Sequence, residues 1–247
     1  MQEARQECAG KNTHKVAEQL LQEAFPSLQG RKFLDIPCGT GGFLQRIARL
    51  GGQPFGSDLQ NISQVGLDCD FKHCNMDEQL PYENAFFDGI VCIDGIEHIK
   101  RSFDFIRECT RIIKNDGILI ISTPNISSLR SRWRYFLTGH HNKCKHPLDE
   151  QNITPYHHVN MISYSELRYI LHTEGFRIEK VTTNRFKIIS LIYLVFWPIT
   201  FLVTKMVYKR ECRSKSEKLI GKDVVRQMHK LPVFCGESLL VLARKYG

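Results

Sequence analysis

The chain has 247 residues, 42% of them hydrophobic and 24% charged. That length suits one α/β unit with insertions, and the apolar share excludes a disordered chain, because a core can be buried. The formal net charge of +8 favours an anionic partner: nucleic acid, an anionic membrane surface or a phosphorylated substrate. Nine cysteines occur without a Cys-x-x-Cys pair, and residues 1–10 offer no cleavable apolar region. Free thiols in a reducing compartment are therefore expected, rather than a disulfide frame or a zinc site.

Residues 14–25 have the apolar spacing of an amphipathic helix, stopped by Pro26 and Gly30. A strand over 32–36 contains Asp35 near its end, and Gly39, Gly41 and Gly42 make a tight turn into a helix over 42–50. A second strand, 53–57, ends at Asp58; a short one lies near 69–74, and another spans 87–93. A helix covers 100–114, and Asn115-Asp116-Gly117 reads as a turn. Residues 118–122 form a continuous apolar run of the kind that parallel sheets bury. Helix 163–174 leads through Gly175 to strand 176–183, and the last strand is expected at 237–244. Alternating strands and helices predict an α/β fold with a Rossmann-like, doubly wound sheet. One domain over 1–247 is expected, with a lid insertion at about 124–162 and a hydrophobic insertion at about 184–236.

In open α/β sheets the strand–turn–helix junction binds nucleotide-like ligands at the carboxyl edge. Glycine allows close approach because it has no Cβ. Asp35-Ile36-Pro37-Cys38-Gly39-Thr40-Gly41 resembles the first motif, acid-x-Gly-x-Gly-x-Gly, of class I S-adenosylmethionine (SAM) dependent methyltransferases. Pro37 replaces the first glycine, and the GxGxxG spacing of NAD enzymes is absent. Three more segments follow in the family's order. Asp58 is placed to accept hydrogen bonds from ribose hydroxyls, with Leu59 beside it. At Asn75-Met76-Asp77 the resemblance puts the adenine corner, with Asn75 or Asp77 as the polar group and Met76 as an apolar neighbour. Residues 87–98 resemble the fourth motif, a strand running through Ile93 into acid-x-x-Glu-His. The resemblance covers about residues 14–183 plus the final strand. It points to the group that includes ubiquinone-pathway O-methyltransferases and surface-polysaccharide methyltransferases, and it implies SAM as cofactor, with Asp35 orienting the methionine amine.

Methyl transfer from a sulfonium is an in-line displacement. The enzyme aligns the reactants and, for a hydroxyl acceptor, removes a proton. His98 is the expected base, because imidazole titrates near neutrality. Glu97 beside it and His158, where similar methyltransferases keep a histidine close to the acceptor, complete the catalytic set. A structural His98, capping a helix or binding a carbonyl, is the alternative. Asp94, Glu97 and His98 also match the set linked to a divalent metal in ubiquinone-pathway enzymes, and their donors suit magnesium or manganese. The lid adds His140, His141, His146 and His157 with Trp133, Tyr135, Phe136 and Tyr156, without a recognisable zinc spacing. Arg130, Arg132 and Arg134 either hold an acidic acceptor by forked hydrogen bonds or form a solvated helix face.

Residues 188–203 are almost wholly apolar and flanked by Arg185, Lys187, Lys205, Lys209 and Arg210. A spanning helix needs about 20 apolar residues, and Pro198 divides this run into two halves that are too short. A single crossing would also strand the last strand away from its sheet. Residues 188–208 are therefore expected to lie in the plane of a membrane or to re-enter it, basic flanks on anionic headgroups. A helix buried against the domain or a partner is the rival. The expected protein is a SAM-dependent methyltransferase at the cytoplasmic face of a membrane, acting on a hydroxyl of an amphiphilic or lipid-linked small molecule. A quinone precursor and a glycan intermediate both fit. An RNA or protein methyltransferase and a non-catalytic SAM-binding protein are the alternatives. With no RNA-binding module or Asn-Pro-Pro-Tyr-like segment in the chain, nucleic acid is not an expected partner. The oligomeric state stays open.

Overall fold

The computed structural model describes residues 9–60, 69–144 and 148–246; His146 of the predicted lid lies outside them. In chain order the elements are α1 (Thr13–Ala24), β1 (Lys32–Asp35), α2 (Gly42–Arg49), β2 (Gln53–Asp58), β3 (Asp70–His73), β4 (Phe87–Cys92), α3 (Ser102–Ile112), β5 (Ile113–Pro124), α4 (Leu129–Thr138), α5 (Tyr164–Thr173) and β6 (Phe176–Thr183). They are followed by α6 (Ile188–Ile192), α7 (Trp197–Glu211), α8 (Lys215–Met228), α9 (Leu231–Cys235) and β7 (Ser238–Lys245).

The strands form one seven-stranded sheet in the order β3-β2-β1-β4-β5-β7-β6. Successive strand residues point to opposite faces, and β1 shows this directly. Leu34 joins the apolar cluster under α3 and α5, which includes Ile90, Phe105, Ile106 and Leu167. Phe33 joins the opposite cluster, where Leu20 and Leu21 of α1 and Phe43 and Ile47 of α2 pack. The doubly wound arrangement therefore follows from apolar side chains on both faces of the strands. Ser163 and Glu166 start α5 with a reciprocal capping box.

Two expectations are corrected. Asn115-Asp116-Gly117 is not a turn before a strand, because it lies inside β5. Phe87 pairs with Ile113 and Gly89 with Ile118, so the extra residues bulge out of register. Asp116 takes a positive φ of 61° there, and its carbonyl accepts from Arg244 at 2.8 Å. Pro198 does not divide the hydrophobic run either. Ile188–Glu211 is one helical stretch of 24 residues, with a 3-10 turn at Tyr193–Phe196. Pro198 sits in the first turn of α7, where its missing N–H costs no hydrogen bond.

β7 runs antiparallel between β5 and β6, pairing Leu239 with both Thr123 and Thr183. Both ends of the 184–236 insertion are therefore fastened to the same sheet. Glu237, at the start of β7, gathers the neighbouring segments. Its carboxylate pairs with Arg185 and with Lys187 (2.8 Å) at the root of the insertion, and with Lys143 (3.1 Å) of the lid. Burial alone would raise its pKa, but hydrogen bonds from the three cations bring it down to about 2. A carboxylate with a depressed folded pKa adds stability above its unfolded value, about 4.3, and that stability fades as pH falls towards 2. Glu237→Gln is expected to lose about 3 kcal/mol at neutral pH. Chemical denaturation should show this difference shrinking on acidification from pH 5 to pH 3.

Candidate functional site

β1, β2 and β4 run parallel, so their carboxyl ends open on one edge. Ile36 donates to Val91 O on β4 (2.9 Å), and Cys38 donates to Ser57 O on β2 (2.9 Å). The glycine turn is thus hung between both neighbours. Gly39 and Gly41 have φ of 50° and 82°, a region costly for side-chain-bearing residues. Pro37 follows a cis Ile36–Pro37 bond. It fits because residue 95 is glycine: a Cβ there would lie 2.3 Å from Pro37 Cδ. Pro37, the family departure, and Gly95 are therefore matched across the edge. Gly95 was legible as part of the acid-x-x-Glu-His segment, but this contact was not.

Asp35 is 2% exposed at the end of β1. Burial first, and then the nearby Asp58 carboxylate, push its pKa well above the usual carboxylate range. Two acids crowded at a strand edge favour a cationic ligand, which suits the ammonium and sulfonium of SAM. Asp58 Oδ2 accepts from Gly39 N at 3.0 Å and Oδ1 from Gln60 N at 3.0 Å, so it shapes the turn and keeps lone pairs for hydroxyls. Leu59 beside it is exposed, while Met76 and Ile93 are buried. Asn75 Oδ1 accepts from Asp77 N, and its amide donates to Glu78. Asp77 Oδ1 accepts from Lys100 N and Arg101 N, both at 2.8 Å, at the start of α3. Asn75 and Asp77 thus both carry local structural bonds at this corner.

The fourth segment makes a 3-10 turn, Ile96–His98, directly after β4. Glu97 is 1% exposed, and its Oε2 finds no hydrogen-bond partner among the described residues. Burial, then the Asp94 charge, push its pKa well above the ordinary value. His98 Nδ1 lies 3.1 Å from His157 O, and the His98 and His158 rings meet edge to face at 4.8 Å. Burial lowers the pKa of His98. Glu97, His98 and His158 each offer one ligand atom, all within 4.8 Å of one another. The three predicted catalytic residues are thus together. No metal site was predicted, and the set considered as an alternative is not together: Asp94 stands outside this cluster, its carboxylate taken by Ser122 Oγ (2.6 Å) and Gly10 N (3.3 Å).

The 124–162 segment touches this edge at two places. Asn160 N donates to Glu97 O (3.0 Å), and Tyr156 OH meets Gln60 Nε2 at 2.5 Å just beyond β2. Of the other lid histidines, His157 offers its carbonyl to His98, while His141 is engaged by Ser131 and stacks on Tyr135. Ser122, Gln60 and the His157 carbonyl were not found from the sequence, since nothing in a lone serine, glutamine or backbone group marks a contact across the fold.

A methyltransferase domain family matches residues 3–181. The chain belongs to that family, as a class I SAM-dependent methyltransferase. Among curated relatives, the ubiquinone biosynthesis O-methyltransferase of Maricaulis maris is 28% identical over 109 residues, 40% of this chain and 43% of that one. Its counterpart in Actinobacillus pleuropneumoniae is 28% identical over 118 residues, 42% and 50%. The methyltransferase matches no more than half the length of these relatives. The fold resembles that of a SAM-dependent methyltransferase from Archaeoglobus fulgidus, with a TM-score of 0.54, 19% identity and coverage of 94% and 95% of the two chains. SAM is the cofactor, and the glycine turn with its two acids fits it. Asp58→Ala is expected to weaken SAM binding at least tenfold, about 1.4 kcal/mol, in calorimetric titration, because the Gly39 amide loses its acceptor. NADH should show no binding to either protein.

Proposed function

We propose that the methyltransferase O-methylates a hydroxyl of an amphiphilic or lipid-linked small molecule, such as a quinone precursor or a glycan intermediate, at the inner face of a membrane. The observation that carries the chemistry is the hydrogen bond at His98. A carbonyl can only accept, so Nδ1 bonded to His157 O carries the proton of the neutral ring, and Nε2 keeps its lone pair. Burial lowers the pKa, which keeps that lone pair available at neutral pH.

SAM, when bound, supplies a methyl on a sulfonium with a good leaving group. With SAM and acceptor bound, His98 Nε2 would take the hydroxyl proton that the acceptor oxygen loses on receiving the methyl group. Glu97 stands next to the imidazolium so formed, and Asn160 N holds the Glu97 carbonyl from the lid side. Support for an amphiphilic acceptor comes from the apolar run that begins just after β6 and meets the lid helix, Phe196 stacking on Trp133 at 6.3 Å. The curated relatives are named for ubiquinone biosynthesis, which is consistent with a ring hydroxyl.

A second reading rests on the cluster itself. Two imidazoles and a carboxylate with an unpartnered oxygen form a donor set for a divalent ion. Such an ion at Glu97, His98 and His158 would acidify an acceptor hydroxyl. Under the base mechanism, EDTA dialysis leaves the rate with the true acceptor unchanged; loss restored by one divalent ion establishes the metal instead.

His98→Gln is expected to lower kcat by at least about 100-fold while SAM affinity stays within twofold. In the wild type, kcat/KM should fall on the acid side with a midpoint below about 6.5, because the lowered pKa keeps the base neutral to lower pH. That limb should vanish in His98→Gln. Radiolabelled methyl transfer to membrane extracts reads both.

A further inference from the structure

Residues 185–230 carry eleven Lys and Arg against three Asp and Glu, so this one segment holds a charge equal to the whole net +8 of the chain. The same segment holds a row of exposed apolar side chains. Ile188, Ile192, Val195, Ile199, Leu202 and Met206 are each at least half exposed. Their spacing of three and four residues places them on one face of the run Ile188–Glu211, a window of which is only 6% buried.

The other side of the run is occupied. Tyr193 and Leu194 pack against Leu129, Phe234 and Cys235, and Trp197 Nε1 donates to His229 O at 3.1 Å. α8 returns alongside α7, close enough that a Cβ at Gly221 would meet Tyr208 at 3.2 Å. The insertion is therefore a helical hairpin with a covered inner side and a bare apolar outer side. At its tip, Lys209 and Arg210 lie in the last turn of α7, Arg213 lies in the connection, and Lys215 and Lys218 open α8.

From this geometry, and resting on the amphiphilic-acceptor reading above, we propose that the hairpin docks on an anionic bilayer. The outer face enters the headgroup–acyl boundary, and the basic tip lies on headgroup phosphates. Length alone would let 24 residues cross, since about 20 suffice. Crossing fails because β6 and β7 pair in one sheet and the returning α8 is charged along its length. A helix lying along the surface satisfies both constraints. A second copy is disfavoured as occupant, because it would bring two +8 segments together, whereas anionic lipid neutralises them. The docking face continues onto the lid helix. Trp133 stacks on Phe196 with an interplanar angle of 11°, and Phe136 and Leu137 are 78% and 63% exposed beside it.

The chain has two tryptophans, Trp133 and Trp197, which makes the test direct. The full protein is floated with phosphatidylcholine vesicles with and without phosphatidylglycerol, at low and high salt. Binding is expected only with phosphatidylglycerol, weakening in salt, and at least tenfold lower in the triple variant Ile192→Ser, Val195→Ser, Ile199→Ser. These side chains are exposed, so circular dichroism and SAM affinity should be unchanged. In Trp197→Phe, the emission of Trp133 should shift to the blue on vesicles and be quenched by brominated lipid. Equal flotation of wild type and triple variant would overturn the proposal, as would a dimer in solution that the triple variant abolishes. Binding without any change at Trp133 would overturn the extension to α4. The acceptor reading is tested apart, by methyl labelling of detergent-solubilised lipid extract. If that label is absent while vesicle binding is intact, the acceptor reading fails and the docking surface stands.

Discussion

Parallel pairing of β1 with β4 is the constraint on which the site depends. Asp35 lies opposite Val91, so the two strands end together and their following turns must share one edge. Only a small group fits between those turns, and Gly95 leaves the space that Pro37 occupies. Cofactor turn and Glu97–His98 turn are thus positioned by backbone pairing rather than by contacts between their functional side chains. That leaves Asp35, Glu97 and His98 available for ligands.

A second tie organises what lies over that edge. Glu237 holds Lys143 of the lid and Arg185 and Lys187 at the root of the hairpin. Its backbone also accepts from Asn125 N at the end of β5 (3.2 Å). Lid, hairpin and sheet therefore meet at one carboxylate. A buried charge with three partners is costly to break, which suits a point where two insertions must keep a fixed relation to the active edge. His98 depends on the lid more directly, because the carbonyl that sets its tautomer belongs to His157.

The motif residues were legible because each has a local reason to be where it is. Gly39 and Gly41 need positive φ, Asp35 and Asp58 terminate neighbouring strands, and Glu97-His98 follows a buried run. Long-range partners left no such mark. Asp94 resembled a ligand by its place in the acid-x-x-Glu-His segment, yet Ser122 lies beside it across 28 residues of chain and takes its carboxylate. Asn115-Asp116-Gly117 has turn chemistry, but strand pairing on both sides absorbed it as a bulge. Pro198 reads as a breaker, and its position in a first helical turn made it harmless.

By itself the sequence determined the order of strands and helices, the cofactor turn and the residue types of the catalytic edge. The elements follow from local periodicity, the turn from backbone conformations that few residues tolerate, and the edge residues from the resemblance of residues 87–98 to a known motif. Only the tertiary structure decided that Asp94 turns to Ser122 instead of joining Glu97, His98 and His158. Ser122 comes from the next strand, and no spacing along the chain encodes that meeting. The fold likewise decided which side of the apolar run stays bare. The inner side is covered by α8, α9 and the base of α4, and such cover is a property of packing rather than of composition.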